Sequence, residues 1–164
     1  MASQNDALFL DADRSRLTIE QRSGTAPEIS GLAAVYYDGD RGTEYRLGPD
    51  VVERIAPGAF DGVLADDVRA VFNHDPSAVL GRAGGPTPTL NLASTGRGLS
   101  YRIRPPDTAI GRDVVELIRR GDVDGSSFRF AVDRDGVDLD RDDDTGGTVR
   151  TIRQVAKLID VGPV

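Results

Sequence analysis

The chain contains no cysteine, no tryptophan, one methionine and a single histidine, His74, in 164 residues. Without cysteine there can be no disulfide, no thiolate nucleophile and no cysteine-ligated metal. With one imidazole, two-histidine metal motifs are excluded, as is any triad that needs a second histidine. No metal and no organic cofactor is expected. Aromatic residues make up only 5% of the chain, and neither a stacking array on a basic patch nor a phosphate-cradling glycine-rich loop is present. Basic residues are also short, 20 against 27 acidic, for a net charge of −7. A surface that tracks phosphates shows the opposite imbalance, so nucleic acid is not an expected partner. No run approaches the ~18 apolar residues that cross a bilayer. The opening Met1 to Ser15 lacks a basic stretch followed by an apolar one, the mark of a secretion signal. A soluble intracellular protein with no membrane partner is the expectation.

What is present suffices for one core: 38% of residues are hydrophobic and 29% charged, ordinary for a globular domain. Residues 1–27 read as a polar N-terminal segment, with Leu17 to Glu20 as an alternating stretch and Ser23 to Pro27 as a loop. Residues 28–164 read as the domain proper. Gly31 to Tyr37 predicts a buried strand, closed by Asp38-Gly39-Asp40. Glu44 to Ile55 is extended, and Pro57 to Phe60 opens a turn or short helix. Val68 to Phe72 and Ala78 to Arg82 are two strands around the turn Asn73-His74-Asp75-Pro76. Thr89 to Leu92 and Leu99 to Ile103 form a hairpin. The spacing of Ile110, Val114, Leu117 and Ile118 predicts a helix, capped by Asp107 or Thr108 and stopped by Gly121. Ser127 to Val132 returns to strand, residues 133–147 read as an acidic loop, and Thr148 to Val161 is extended. Many short strands and one good helix predict a mainly β fold, a mainly antiparallel β-barrel or sandwich decorated by helices.

Three polar groups in this pattern point to chemistry. His74 sits on a turn between apolar strands, where rigid scaffolds mount reactive groups. An ordinary imidazole titrates near ~6.5 and can act as a base at neutral pH. Ser127 lies in Gly125-Ser126-Ser127-Phe128. This is not the nucleophile elbow of an α/β-hydrolase, which needs glycine two positions after the serine and a strand-to-helix turn; position 129 is Arg and the chain enters a strand. A Ser–His pair needs a third group to fix the imidazole tautomer, which here must be a carboxylate, a carbonyl or an amide. Asp160 lies inside the apolar run Lys157 to Val161, where strand alternation puts it on the face of Leu158, a costly place for an unpartnered acid. Asp75 adjoins His74, but sequence neighbours rarely present their side chains to each other.

At these segments the chain resembles the tailed-phage prohead (capsid maturation) serine proteases. The resemblance is carried by Val52 to Phe60, by Phe72-Asn73-His74-Asp75-Pro76 with Val79 to Arg82, by the helix from Gly111 to Gly121 and by Gly125-Ser126-Ser127-Phe128, in the family's order. It implies a β-barrel ringed by helices, as in the herpesvirus assembly proteases. It also implies a serine endopeptidase that cuts scaffold segments and capsid-protein extensions, often itself too, inside the immature head in the host cytoplasm. The implied partners are the major capsid protein and the scaffold segment as substrates, together with self-association into a homo-oligomer. By position, the family's serine falls on Ser127, its histidine on His74 and its later acid, usually Glu, on Asp160. The herpesvirus relatives use a second histidine there. Arg129 stands where the family often has Gly, and Gly162 where Ser is common. Backbone amides near Ser127 or from Arg150 to Arg153 are candidate oxyanion donors.

Two other readings compete. A catalytically inactive assembly or scaffold module with the same fold is one. The other is a calcium-binding module, suggested by the aspartates from Asp133 to Asp144. The EF-hand spacing fails there, since Thr145 stands where glycine is needed and Thr151 where the final Glu is needed. A solvated loop is the simpler reading.

Overall fold

The computed structural model describes residues 4–164, with side chains from Ala7 onward. Among the described residues thirteen strands follow one another: β1 Gln4–Leu10, β2 Thr18–Glu20, β3 Glu28–Val35, β4 Tyr45–Arg46, β5 Val51–Ile55, β6 Arg69–Val71, β7 Val79–Arg82, β8 Leu90–Ser94, β9 Gly98–Ile103, β10 Ser126–Val132, β11 Val137–Arg141, β12 Thr148–Ile152 and β13 Lys157–Pro163. Two α-helices join them, α1 Ala12–Ser15 and α2 Ala109–Arg120. The mainly β class expected from the sequence is correct, but the barrel is not. The strands divide into a five-stranded sheet, β1-β10-β13-β6-β7, and two four-stranded sheets, β11-β12-β5-β4 and β2-β3-β9-β8. Among the described residues no pairing closes a single barrel. The reason is that alternation reports which face of a strand is buried, not which strand lies beside it. Most pairs are antiparallel, but β12 runs parallel to β5 and β13 parallel to β6.

The local readings fare better where the signal is local. Helix α2 starts at Thr108, whose hydroxyl accepts from the Gly111 amide, and ends at Gly121 in the left-handed region at φ 77°. Asp122 N donates to Leu117 O and Gly121 N to Ile118 O, closing off carbonyls that would otherwise lack partners. Val114, Val115 and Ile118 face the core. A Cβ on Gly111 would come within 2.0 Å of Pro106 O, so only glycine fits where the helix passes that loop.

Two expectations need correction. The segment from Ala7 to Leu10, read as part of the polar N-terminal segment, contributes β1, which lies along β10 with Leu8 and Leu10 in the core. The acidic stretch 133–147 is not all loop: Val137-Asp138-Leu139-Asp140-Arg141 forms β11 and pairs with β12. Its charge is offset by arginines, with Asp138 on Arg153, and Asp142 and Asp144 on Arg41. Alternation of Val and Leu with Asp was the strand signal, masked by the acidic composition.

Phe128 sits at the centre of the core. Its ring meets Phe60 edge-on at 5.6 Å, stacks on Phe130 at 5.0 Å and meets Tyr45 edge-on at 6.2 Å. Such ring pairs add about 0.5–1.5 kcal/mol each beyond area burial. They anchor β10, and with Phe128 turned inward, strand alternation turns Ser127 and Arg129 to the opposite face.

Candidate active site

His74 is held by a tight turn. Asp75 N donates to Phe72 O, Ala78 N to Asp75 O and Phe72 N to Ala78 O. Asn73 and His74 both take positive φ, 51° and 57°. Residues other than glycine rarely do so, though Asn and His tolerate it better than most. The surrounding structure holds this conformation: Asn73 N donates to Pro163 O at the end of β13. Asp75 turns away from the imidazole. Its carboxylate accepts from Ser77 Oγ and Ser77 N, which hold its pKa below the usual value.

Ser127 lies between Phe9 of β1 and Gly162 of β13. Gly162 has a steric reason: a Cβ there would meet Val71 O at 2.0 Å. The bare backbone lets β6, which leads into the His74 turn, come close to β13. The adjacent Ser126 is directed elsewhere, its hydroxyl bonded to Tyr101 OH at 2.7 Å in the core.

Asp160 reaches the site through an irregularity that alternation did not foresee. The register pairs Asp160 with Arg129 but Leu158 with Phe130, leaving Ile159 unpaired between them. One extra residue of this kind flips the following side chain to the other face. Leu158 therefore packs in the core, while Asp160 joins the face of Ser127 and Arg129. The expectation that Leu158 and Asp160 share a face is thus wrong, and the bulge is why.

The structure brings together all three residues singled out from the sequence. His74 Nε2 lies 2.6 Å from Ser127 Oγ, and His74 Nδ1 lies 2.6 Å from Asp160 Oδ1. An ionised carboxylate only accepts, so Nδ1 carries the proton and Nε2 presents its lone pair to Ser127. Burial pushes the Asp160 pKa up, but hydrogen bonds from His74 and Arg129 outweigh it, and the net shift is downward. The acid stays ionised at neutral pH with a side chain only 5% exposed.

Two participants were not found from the sequence. Arg129 donates from Nε, at 2.7 Å, and from Nη2 to Asp160 Oδ2, the oxygen that His74 leaves unused. Leu8 O accepts from Ser127 Oγ at 2.6 Å. The alternation of β10 could have placed Arg129 on the face of Ser127. No local pattern could have paired β1 with β10. The Arg150 to Arg153 stretch falls mostly in β12, in another sheet, and the Arg153 amide donates to Gly136 O.

A serine, an imidazole and a carboxylate in hydrogen-bonded series, mounted on a mainly β scaffold, have the geometry of a serine hydrolase site. Residues 15–164 match the family model of the caudovirus prohead serine proteases. The chain belongs to that family, and it is a serine peptidase of phage capsid maturation. Among solved structures it is similar to the capsid assembly protease gp21 of bacteriophage T4, with a TM-score of 0.55 at 12% identity, over 97% of this chain and 96% of that one. At that identity the likeness speaks for the fold alone. A search of curated proteins finds no match. No helix among the described residues is long and apolar enough to cross a membrane.

Proposed function

We propose that Ser127 is the nucleophile, His74 the general base and Asp160 the acid that orients it. The observation that carries this reading is the imidazole bridging the other two groups at 2.6 Å on each side. In the reaction Ser127 Oγ forms a bond to the substrate carbonyl carbon while its proton passes to His74 Nε2. The C–N bond then breaks and His74 gives that proton to the leaving amine. Water, activated by the same imidazole, releases the acyl group from Ser127. The hydroxyl has one proton and two acceptors in reach, His74 Nε2 and Leu8 O, so attack requires it to turn from Leu8 O to the imidazole. Asp160 takes the place that a second histidine holds in the herpesvirus assembly proteases, to which the family resemblance relates this fold.

The substrates in this reading are the capsid protein and the scaffold segment within the immature head, with self-cleavage and self-association as further parts of the same expectation. No observation favours the inactive-module reading. Ser127→Ala tests the assignment. Cleavage of the co-expressed capsid protein, followed by mass spectrometry, should fall by about 10⁶-fold, while the melting temperature stays near that of the unaltered chain. Undiminished cleavage by this variant would end the assignment.

A further inference from the structure

We propose that Arg129 is a positioning residue of the site, fixing the Asp160 carboxylate and tempering its pull on His74; this rests on the triad assignment above. Arg129 faces Asp160 directly across β10 and β13, one step before the register shift. Nε and Nη2 both bind Oδ2, while Oδ1 receives His74 Nδ1–H. The two carboxylate oxygens are thus divided between two partners, and the plane of the carboxylate is set from both sides. A planar fork does this where a point charge cannot.

An exposed salt bridge is worth little, but this one has a buried end. The Asp160 side chain is 5% exposed and the Arg129 side chain 36%. A buried carboxylate with only the imidazole beside it would favour the imidazolium strongly. That form cannot take a proton from Ser127. The guanidinium offsets part of the negative charge that the imidazole faces. The other charged groups nearby do less. Arg69 pairs with Asp160 in the β6 register but is exposed. Arg82, next to Arg69, is engaged by Asp67, and Asp75 is turned to Ser77.

The test uses the rate at which a fluorophosphonate labels Ser127 between pH 5 and pH 9, since this probe needs the nucleophile and base but no knowledge of the cleavage sequence. In Arg129→Gln the labelling rate should fall by about 10- to 100-fold. The acid limb of the profile should move to higher pH by about 0.5–1 unit, because the less compensated Asp160 holds the imidazolium longer. Arg129→Lys keeps the charge and loses the fork, so its rate should fall while its acid limb stays put. An unmoved limb in a folded Arg129→Gln overturns the proposal, as does a wild-type rate in Arg129→Lys, which decides the matter if the glutamine variant fails to fold. Failure of the triad assignment looks different: the unaltered chain would not label, or Ser127→Ala would label equally.

Discussion

Asp160 keeps a negative charge with almost no access to water because each of its oxygens is occupied by a donor from a different strand or turn. This has consequences for both rate and stability. Asp160→Asn keeps the shape but puts a donor amide or a neutral acceptor where His74 Nδ1–H needs an anion. The imidazole then loses its tautomer, a change that costs about 10⁴-fold in comparable sites, to be read from fluorophosphonate labelling of Ser127. The stability effect follows from the depressed pKa. A carboxylate whose folded value lies below its unfolded one contributes fully above about pH 4, and loses that contribution as pH falls through the folded value. In denaturant unfolding from pH 6 to pH 2, the stability gap between the unaltered chain and Asp160→Asn should therefore narrow toward pH 2. A gap independent of pH would mean that the carboxylate is not held ionised by the fold.

At the scale of the elements, the candidate site depends on three pieces: the His74 turn between β6 and β7, the outward face of β10, and the bulged end of β13. The first two were legible. Two short apolar strands around Asn73-His74-Asp75-Pro76 fix the turn, and Phe128 and Phe130 fix which face Ser127 takes. The third was not. Alternation alone puts Asp160 with Leu158, and only the partner strand reveals that Ile159 is the extra residue. Removing Ile159 separates cause from coincidence. The deletion leaves Leu158 opposite Phe130 and Asp160 opposite Arg129, now in an unbroken ladder with normal alternation. A chain lacking Ile159 is expected to fold and to label at Ser127 within about ten-fold of the unaltered rate, since the cross-strand pairs are kept. A folded but unlabelled variant would show that the bend of the bulge, and not only the face it selects, brings the carboxylate to His74.

Across the whole molecule, elements bounded by chemistry close in sequence were readable: α2 between Thr108 and Gly121, and the β8–β9 hairpin. Contacts between distant segments were not, because nothing in the residues 4–10 names β10, some hundred positions away, as their partner, and nothing in β5 names β12 as a parallel neighbour. The N-terminal strand is the sharpest case. It lies outside the part of the chain that matches the family model, yet Leu8 and Leu10 are 5% and 0% exposed, and the Leu8 carbonyl accepts from the Ser127 hydroxyl. If β1 is structural, its removal must be felt globally. A chain beginning at Asp11 loses two buried leucines, each worth about 1.5–3 kcal/mol of burial, and uncovers the outer edge of β10. Its unfolding midpoint in urea should drop by an amount corresponding to about 3–6 kcal/mol. An unchanged midpoint would show β1 to be a dispensable cover over Ser127. In that outcome the shortened chain should also label faster, since the hydroxyl would have lost the Leu8 carbonyl, an acceptor that competes with His74.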